Sequence, residues 1–129
     1  MRQEIKGEGT GEAISHYADA VRFGDLLFIS GVMPCDESGK VVSDDVVVQV
    51  RQVFRHIGAI LKAAGGSFAD VLKVTVYLTD VADRPKINPV RQEVFGKTKP
   101  ASTLIGVRQL ALPGMKVEID AVAGLPSRS

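Results

Sequence analysis

The stretch SDDVVVQVRQVFRHIGAILKAAGGSFADVLKVTVYLTD (43–80) decides the fold, because its hydrophobic period changes partway along. In the first part Val46, Val50, Val53, Ile57, Ile60 and Ala64 recur at three- and four-residue steps, which lays one apolar stripe along a helix. Val47, Phe54 and Leu61 widen that stripe. Ser43 reads as the N-cap, and Asp44 and Asp45 suit the positive end of the helix dipole. Gly65-Gly66 reads as the stop. Beyond it the period drops to two. Leu72, Val74, Val76 and Leu78 alternate with Lys73, Thr75, Tyr77 and Thr79, as a strand with one buried face requires.

Working outward, DAVRFGDLLFISG (19–31) is two apolar runs broken by Gly24-Asp25, a hairpin signal. ADRPKINPVRQEVFG (82–96) reads as a shorter helix with Pro85 or Pro89 in its first turn, starting properly only at Asn88 or kinked there. Strands are expected over 103–108 and 116–123, joined through LALPG. The order is β-β-(β)-α-β-α-β-β. It implies an α+β fold, a mainly antiparallel sheet with two helices packed on one face. The other sheet face carries Tyr77 and threonines on strand 72–78 and is apolar on 26–30, where Leu26, Phe28 and Ser30 share one side and Leu27 and Ile29 the other. A sheet apolar on both sides in so short a chain points to oligomerisation.

The 129 residues make a single domain, 1–129, with an apolar fraction of 45% that suffices for a core. A formal charge of +1 gives no clustered basic excess, so no nucleic-acid partner is expected. No apolar run approaches the roughly 20 residues that span a bilayer, so no membrane partner is expected either. One cysteine and no signal-peptide pattern suit a reducing, cytoplasmic location. GEGTGE (7–12) precedes no helix pattern and reads as a flexible N-terminal turn, and LPSRS (125–129) as a tail.

The chemistry-bearing residues are few. Two histidines and one cysteine cannot close a zinc site, so no metal is expected. His56 falls off the helical stripe and reads as a solvated side chain, while His16 stands in a loop beside Tyr17. Cys35 reads as a buried or loop thiol rather than a nucleophile. Four polar positions stand out: Tyr17 at the mouth of the hairpin, Ser30 at a strand end before Gly31, Asn88 on the second helix, and Glu118 between Val117 and Ile119. A carboxylate held in a cleft at 118 could be tuned by burial for acid–base work on a water.

The framework YADAVRFGDLLFISGVMP, a long helix closed by GG, DVLKVTVYLTD, KIN, and KPAS…LPGMKVEIDAVA resembles the Rid family, also called the YjgF/YER057c/UK114 family. The resemblance covers about residues 14–124. It implies a chorismate-mutase-like fold and a homotrimer with three clefts between subunits. It further implies a cofactor-free enamine/imine deaminase acting on a small-molecule substrate, which releases a 2-oxo acid and ammonia. Relatives deaminate aminomuconate-type products. Carried over by position, Tyr17 matches the family's pocket tyrosine, Ser30 and Gly31 its SG turn, and Asn88 its pocket asparagine. Glu118 matches the glutamate that positions the attacking water.

One match fails. The arginine that clamps the substrate carboxylate in the deaminases is Ser102 here. Exchanging a bidentate guanidinium for one hydroxyl costs about 2–5 kcal/mol of binding in a partly desolvated site. Poor activity on simple amino-acid-derived imines is therefore expected. Arg91, one helical turn from Asn88, is the better candidate to supply the missing charge. Arg108 lies too far along its strand unless a neighbouring subunit brings it in. Three readings stay open: a hydrolytic deaminase with altered substrate range, a metabolite-binding trimer without turnover, and an interaction protein with a vestigial cleft.

Overall fold

The computed structural model describes residues 1–126. Six strands, β1 (Arg2–Ile5), β2 (Ala20–Phe23), β3 (Leu26–Val32), β4 (Val71–Leu78), β5 (Ala101–Gly106) and β6 (Val117–Gly124), form one sheet in the order β1-β2-β3-β6-β4-β5. Helices α1 (Val46–Ala63) and α2 (Arg84–Phe95) complete the fold. All strand pairs are antiparallel except β4 with β5, which α2 connects as a parallel crossover. The core lies between the helices and one sheet face, where Leu27, Val50, Val53, Leu61, Val76, Leu78, Ile87, Val117 and Ile119 are buried. No helix among the described residues is long and apolar enough to cross a membrane.

Local chemistry sets the element ends. The α1 N-cap is Asp45, not Ser43: its Oδ1 accepts from the Val47 N–H at 2.7 Å, and the Ser43 hydroxyl accepts from the Asp45 N–H instead. Asp45 is the last extended residue before the helix, so its carboxylate is the one that reaches the free amides. At the other end Gly65 takes φ +84°, and the Gly66 N–H donates to the Leu61 carbonyl at 2.8 Å. Gly24, at φ +62°, turns β2 into β3 with Asp25. Helix α2 starts at Arg84 with Pro85 in its first turn, and Pro89 lies inside it. Pro85 sits where its missing N–H has no helical partner to lose.

Several expectations fail for identifiable reasons. Strand β1 has no counterpart among the expected elements, because only Ile5 of its four residues is buried and the segment shows no alternation. Strand β5 begins two residues early, at Ala101, so Ser102 and Thr103 belong to the strand itself. Leu72 does not join Val74, Val76 and Leu78 in the core. A bulge between Val71 and Lys73 turns it onto the open sheet face, where it is 53% exposed. The LPSRS tail starts later than expected: Leu125 is buried and its N–H donates to the Asp25 carbonyl at 2.6 Å, while 127–129 lie outside the described residues. The 7–12 loop is tied down rather than loose. Gly7 N–H and the Thr10 hydroxyl both donate to Asp19 Oδ2, at 2.9 and 2.6 Å.

His56 is buried, not solvated, because its Nε2–H donates to the Cys35 carbonyl at 2.6 Å. Gln52 donates to the same carbonyl at 3.0 Å. Gln49, fully buried, donates to the carbonyls of Ser43 (2.7 Å) and Gly114 (2.8 Å) and accepts from the Lys116 N–H (2.8 Å). This side of α1 meets loop backbone rather than apolar side chains. Buried amides and an imidazole satisfy groups that would otherwise be stranded. Periodicity cannot show that.

Candidate active site

The open sheet face carries the first group of candidate residues. β3 pairs with β6 as Ile29↔Ala121 and then Val32↔Ile119, so Ser30 and Gly31 together stand opposite Asp120 alone. This bulge turns Gly31 toward Glu118. A Cβ on Gly31 would lie 3.0 Å from Glu118 Cδ and collide with Oε1. The Ser30 hydroxyl donates to the Ala18 carbonyl at 2.7 Å, and the Ser30 N–H donates to the Asp19 carbonyl at 3.0 Å. Together they fasten the loop that carries Tyr17. The result is a hollow of about 340 Å³ lined by Ile14, Tyr17, Ser30, Gly31, Met33 and Glu118.

Glu118 is half-buried, and among the described residues no side chain or amide donates to its carboxylate. Burial, and secondarily the charge of Asp120, push its pKa above the ordinary glutamate value. Asp120 is itself engaged: the Tyr77 hydroxyl donates to its Oδ2 at 2.9 Å. That bond, then burial, raises the Tyr77 pKa. Tyr77 stands directly across from Glu118 in the β4–β6 ladder. Tyr77 and Asp120 were not singled out as functional from sequence. The pattern Glu-x-Asp on a strand, facing a tyrosine on its neighbour, was the available signal.

The remaining candidates lie elsewhere on the protomer. Asn88 and Arg91 line a second hollow, of about 270 Å³, together with Gln92, Phe95, Lys99 and Pro100. It shares no residue with the first. Ser102 faces the helix side of the sheet, beside Val74 in the β4–β5 register, and its Oγ accepts from Arg91 Nη2 at 2.7 Å. Arg108 lies apart from both hollows, beside Thr79 and the 109–115 loop. His16 is exposed and lines neither hollow. Cys35 is buried, and burial with the nearby Asp36 charge raises its thiol pKa, which makes it a poor nucleophile. Among the described residues no group of three or more His, Cys, Asp or Glu side chains is placed to hold a metal.

Two helices on one face of a mixed, mostly antiparallel sheet, with an acid held over a glycine bulge on the other, are the chorismate-mutase-like α+β class. Residues 9–125 match the family described as Endoribonuclease L-PSP. The chain is 43% identical to the RutC family protein PH0854 of Pyrococcus horikoshii, over 95% of this chain and 98% of that protein. It is 39% identical to the human 2-iminobutanoate/2-iminopropanoate deaminase, over 95% and 90%. The solved structure of YyfA from Yersinia pestis, a protein of unknown function of the conserved Rid family, superimposes with a TM-score of 0.91 at 30% identity. That match spans 97% of this chain and 100% of the other. The chain belongs to this family, the Rid or YjgF/UK114 family.

Proposed function

We propose that the protein is a hydrolytic deaminase of a small enamine or imine, and that it needs no cofactor. It works in the cytoplasm as a homotrimer in which the Glu118 hollow of one protomer faces the Asn88 hollow of the next. The observation that carries this reading is the Glu118 carboxylate: half-buried, raised in pKa, free of protein donors and set over Gly31. An acid of that kind is suited to hold a water and take its proton near neutral pH. The exposed apolar residues Leu26, Phe28 and Leu72 on the same sheet face support burial by other subunits. The name of the human relative supports the substrate chemistry.

The enamine first tautomerises to the imine. Water held by Glu118 adds to the imine carbon, giving up a proton to the carboxylate. Glu118 returns that proton to the nitrogen of the carbinolamine. The carbinolamine hydroxyl then gives its proton to Glu118, which passes it to the amine nitrogen; the C–N bond breaks with its electron pair going to nitrogen, ammonia leaves, and the carbonyl product forms. Water supplies the carbonyl oxygen, and no electron is gained or lost. Tyr17, Ser30 and Gly31 shape the wall on the Glu118 side, and Asn88 and Ser102 the facing wall.

The test is ammonia release from a panel of enamines and imines generated in situ, with wild type and Glu118→Gln compared at equal concentration. Acceleration by wild type that is lost in Glu118→Gln supports the reading. No acceleration above the buffer rate across the panel sinks it. Tight retention of a small ligand without turnover would favour a metabolite-binding trimer instead. Tolerance of alanine at both Glu118 and Tyr17, with no ligand found, would favour an interaction protein. The family's description as an endoribonuclease adds an RNA arm to the same test, although a formal charge of +1 gives little phosphate-tracking surface.

A further inference from the structure

Two carboxylates share the open face of β6. Glu118 and Asp120 alternate with the buried Ile119 on that strand, roughly 7 Å apart by the rise of an extended chain. Their hydrogen bonding differs. The Tyr77 hydroxyl donates to Asp120 Oδ2 at 2.9 Å, and among the described residues nothing donates to Glu118. In the β4–β6 ladder Tyr77 stands opposite Glu118, and Thr75 stands opposite Asp120. The phenol therefore lies across from one acid and bonds the other. That bond, and then burial, raise the Tyr77 pKa above the ordinary tyrosine value, so the hydroxyl stays a donor through the neutral range.

A tyrosine has a single O–H to give. Given to Asp120, it holds that carboxylate in place. Without it, Asp120 is free to turn and accept from a protonated Glu118, and two close carboxylates then share one proton. We propose that Tyr77 is a positioning residue that divides the labour between the two acids: by holding Asp120 as a fixed negative charge, it leaves Glu118 as the one that exchanges protons with water. Tyr77 acts through Asp120, and neither lines the Glu118 hollow. Giving Glu118 a role as base rests on the deaminase reading; control of its protonation by Tyr77 and Asp120 does not.

The other groups around Glu118 are few. β3 brings the neutral Ser30 and Gly31, the segment before β2 brings the Tyr17 phenol, and the 109–115 loop brings Ala111. Lys73, farther along β4, stands opposite Val122. In the trimer proposed above, the facing hollow adds Arg91 and Lys99. All of these are unchanged in the variants that test the pair.

Glu118 is titrated by carbon NMR of carboxyl-labelled glutamate, assigned with Glu118→Gln, in wild type, Tyr77→Phe, Asp120→Asn and the double variant. Sedimentation and thermal melts confirm that each is folded in the same assembly, and Tyr77→Leu takes the place of Tyr77→Phe if that variant fails to fold. Asp120→Asn removes a repelling charge, so the Glu118 midpoint should fall. Tyr77→Phe frees Asp120 to bond the neutral acid, so the midpoint should rise. With asparagine at 120 no second carboxylate is present to share the proton, so adding Tyr77→Phe should move nothing further. A Tyr77→Phe midpoint at or below that of wild type overturns the assignment, as does a rise that persists beside Asp120→Asn, or an Asp120→Asn midpoint that does not fall. The acid limb of kcat/KM for ammonia release should move with the midpoints. If the midpoints move as expected and no enamine releases ammonia, the deaminase reading falls and the pair stands. Ammonia release with unmoved midpoints keeps the deaminase and removes the pair.

Discussion

The Glu118 carboxylate occupies the space that a Cβ on Gly31 would enter. Gly31 therefore serves the acid by what it lacks, and the bulge at Ser30–Gly31 is what brings the two together. The Gly31→Ala variant should fold, because Glu118 can rotate away. Displacing the acid should cut kcat for the most active enamine about 10- to 100-fold, with the circular dichroism spectrum unchanged. Wild-type kcat in Gly31→Ala would mean that the position of Glu118 does not matter to the reaction.

Replacing Glu118 by Gln separates catalysis from stability. If Glu118 is the proton acceptor, turnover should fall about 10²- to 10⁴-fold. Stability should move the other way. The folded-state pKa of Glu118 lies above its ordinary value, so the native state holds the proton more tightly than the unfolded chain does. Its contribution is fully present below the ordinary glutamate pKa and is lost as pH rises through the folded value. At neutral pH the buried negative charge therefore opposes folding, and Glu118→Gln should raise Tm. Below pH ~4, where the glutamate is protonated in both states, the gain should vanish. A Tm difference independent of pH would contradict this.

Gln49 tests the polar side of α1. Gln49→Leu keeps the bulk but strands two carbonyls and the Lys116 N–H. The expected loss is about 2–4 kcal/mol in urea unfolding. Loss of less than about 0.5 kcal/mol would mean that the loop repairs its own hydrogen bonds.

The two hollows predict subunit complementation. Glu118→Gln damages one wall and Asn88→Ala the other. Mixed by refolding at equal amounts, about one quarter of the clefts in random trimers regain both intact walls. Activity should reappear in the mixture although each parent is inactive. No recovery in verified mixed trimers would place both walls on one protomer.

Much of the architecture could be read from periodicity. The α1 stripe, the hairpin at Gly24-Asp25 and the alternation of Val74, Val76 and Leu78 each follow from residues close in sequence. What could not be read depends on contacts between distant segments. Gln49 and His56 looked solvated or unremarkable because their partners are loop carbonyls, at Gly114 and Cys35, with no sequence signature. The site behaves likewise. Tyr17, Ser30, Gly31 and Glu118 meet in one hollow, but their separation from Asn88 and Arg91 is a tertiary fact. The contact between Arg91 and Ser102 also alters the obvious experiment. Restoring arginine at 102 alone would set a second guanidinium against the first. Like charges in contact repel, so Ser102→Arg needs Arg91 removed in the same chain to be informative.

Leu72 is a surplus residue in the ladder. Val71 pairs with Ala123 and Lys73 with Val122, so deleting Leu72 would leave an unbroken alternation, with Val71 and Val74 still in the core. The strand does not need it to fold. In chain-length terms it is a one-codon insertion whose only visible product is an apolar side chain resting over Gly124 on the open sheet face. Shortening the gene there should give a protomer that melts as a unit yet, if the open face is the subunit contact proposed above, associates less tightly.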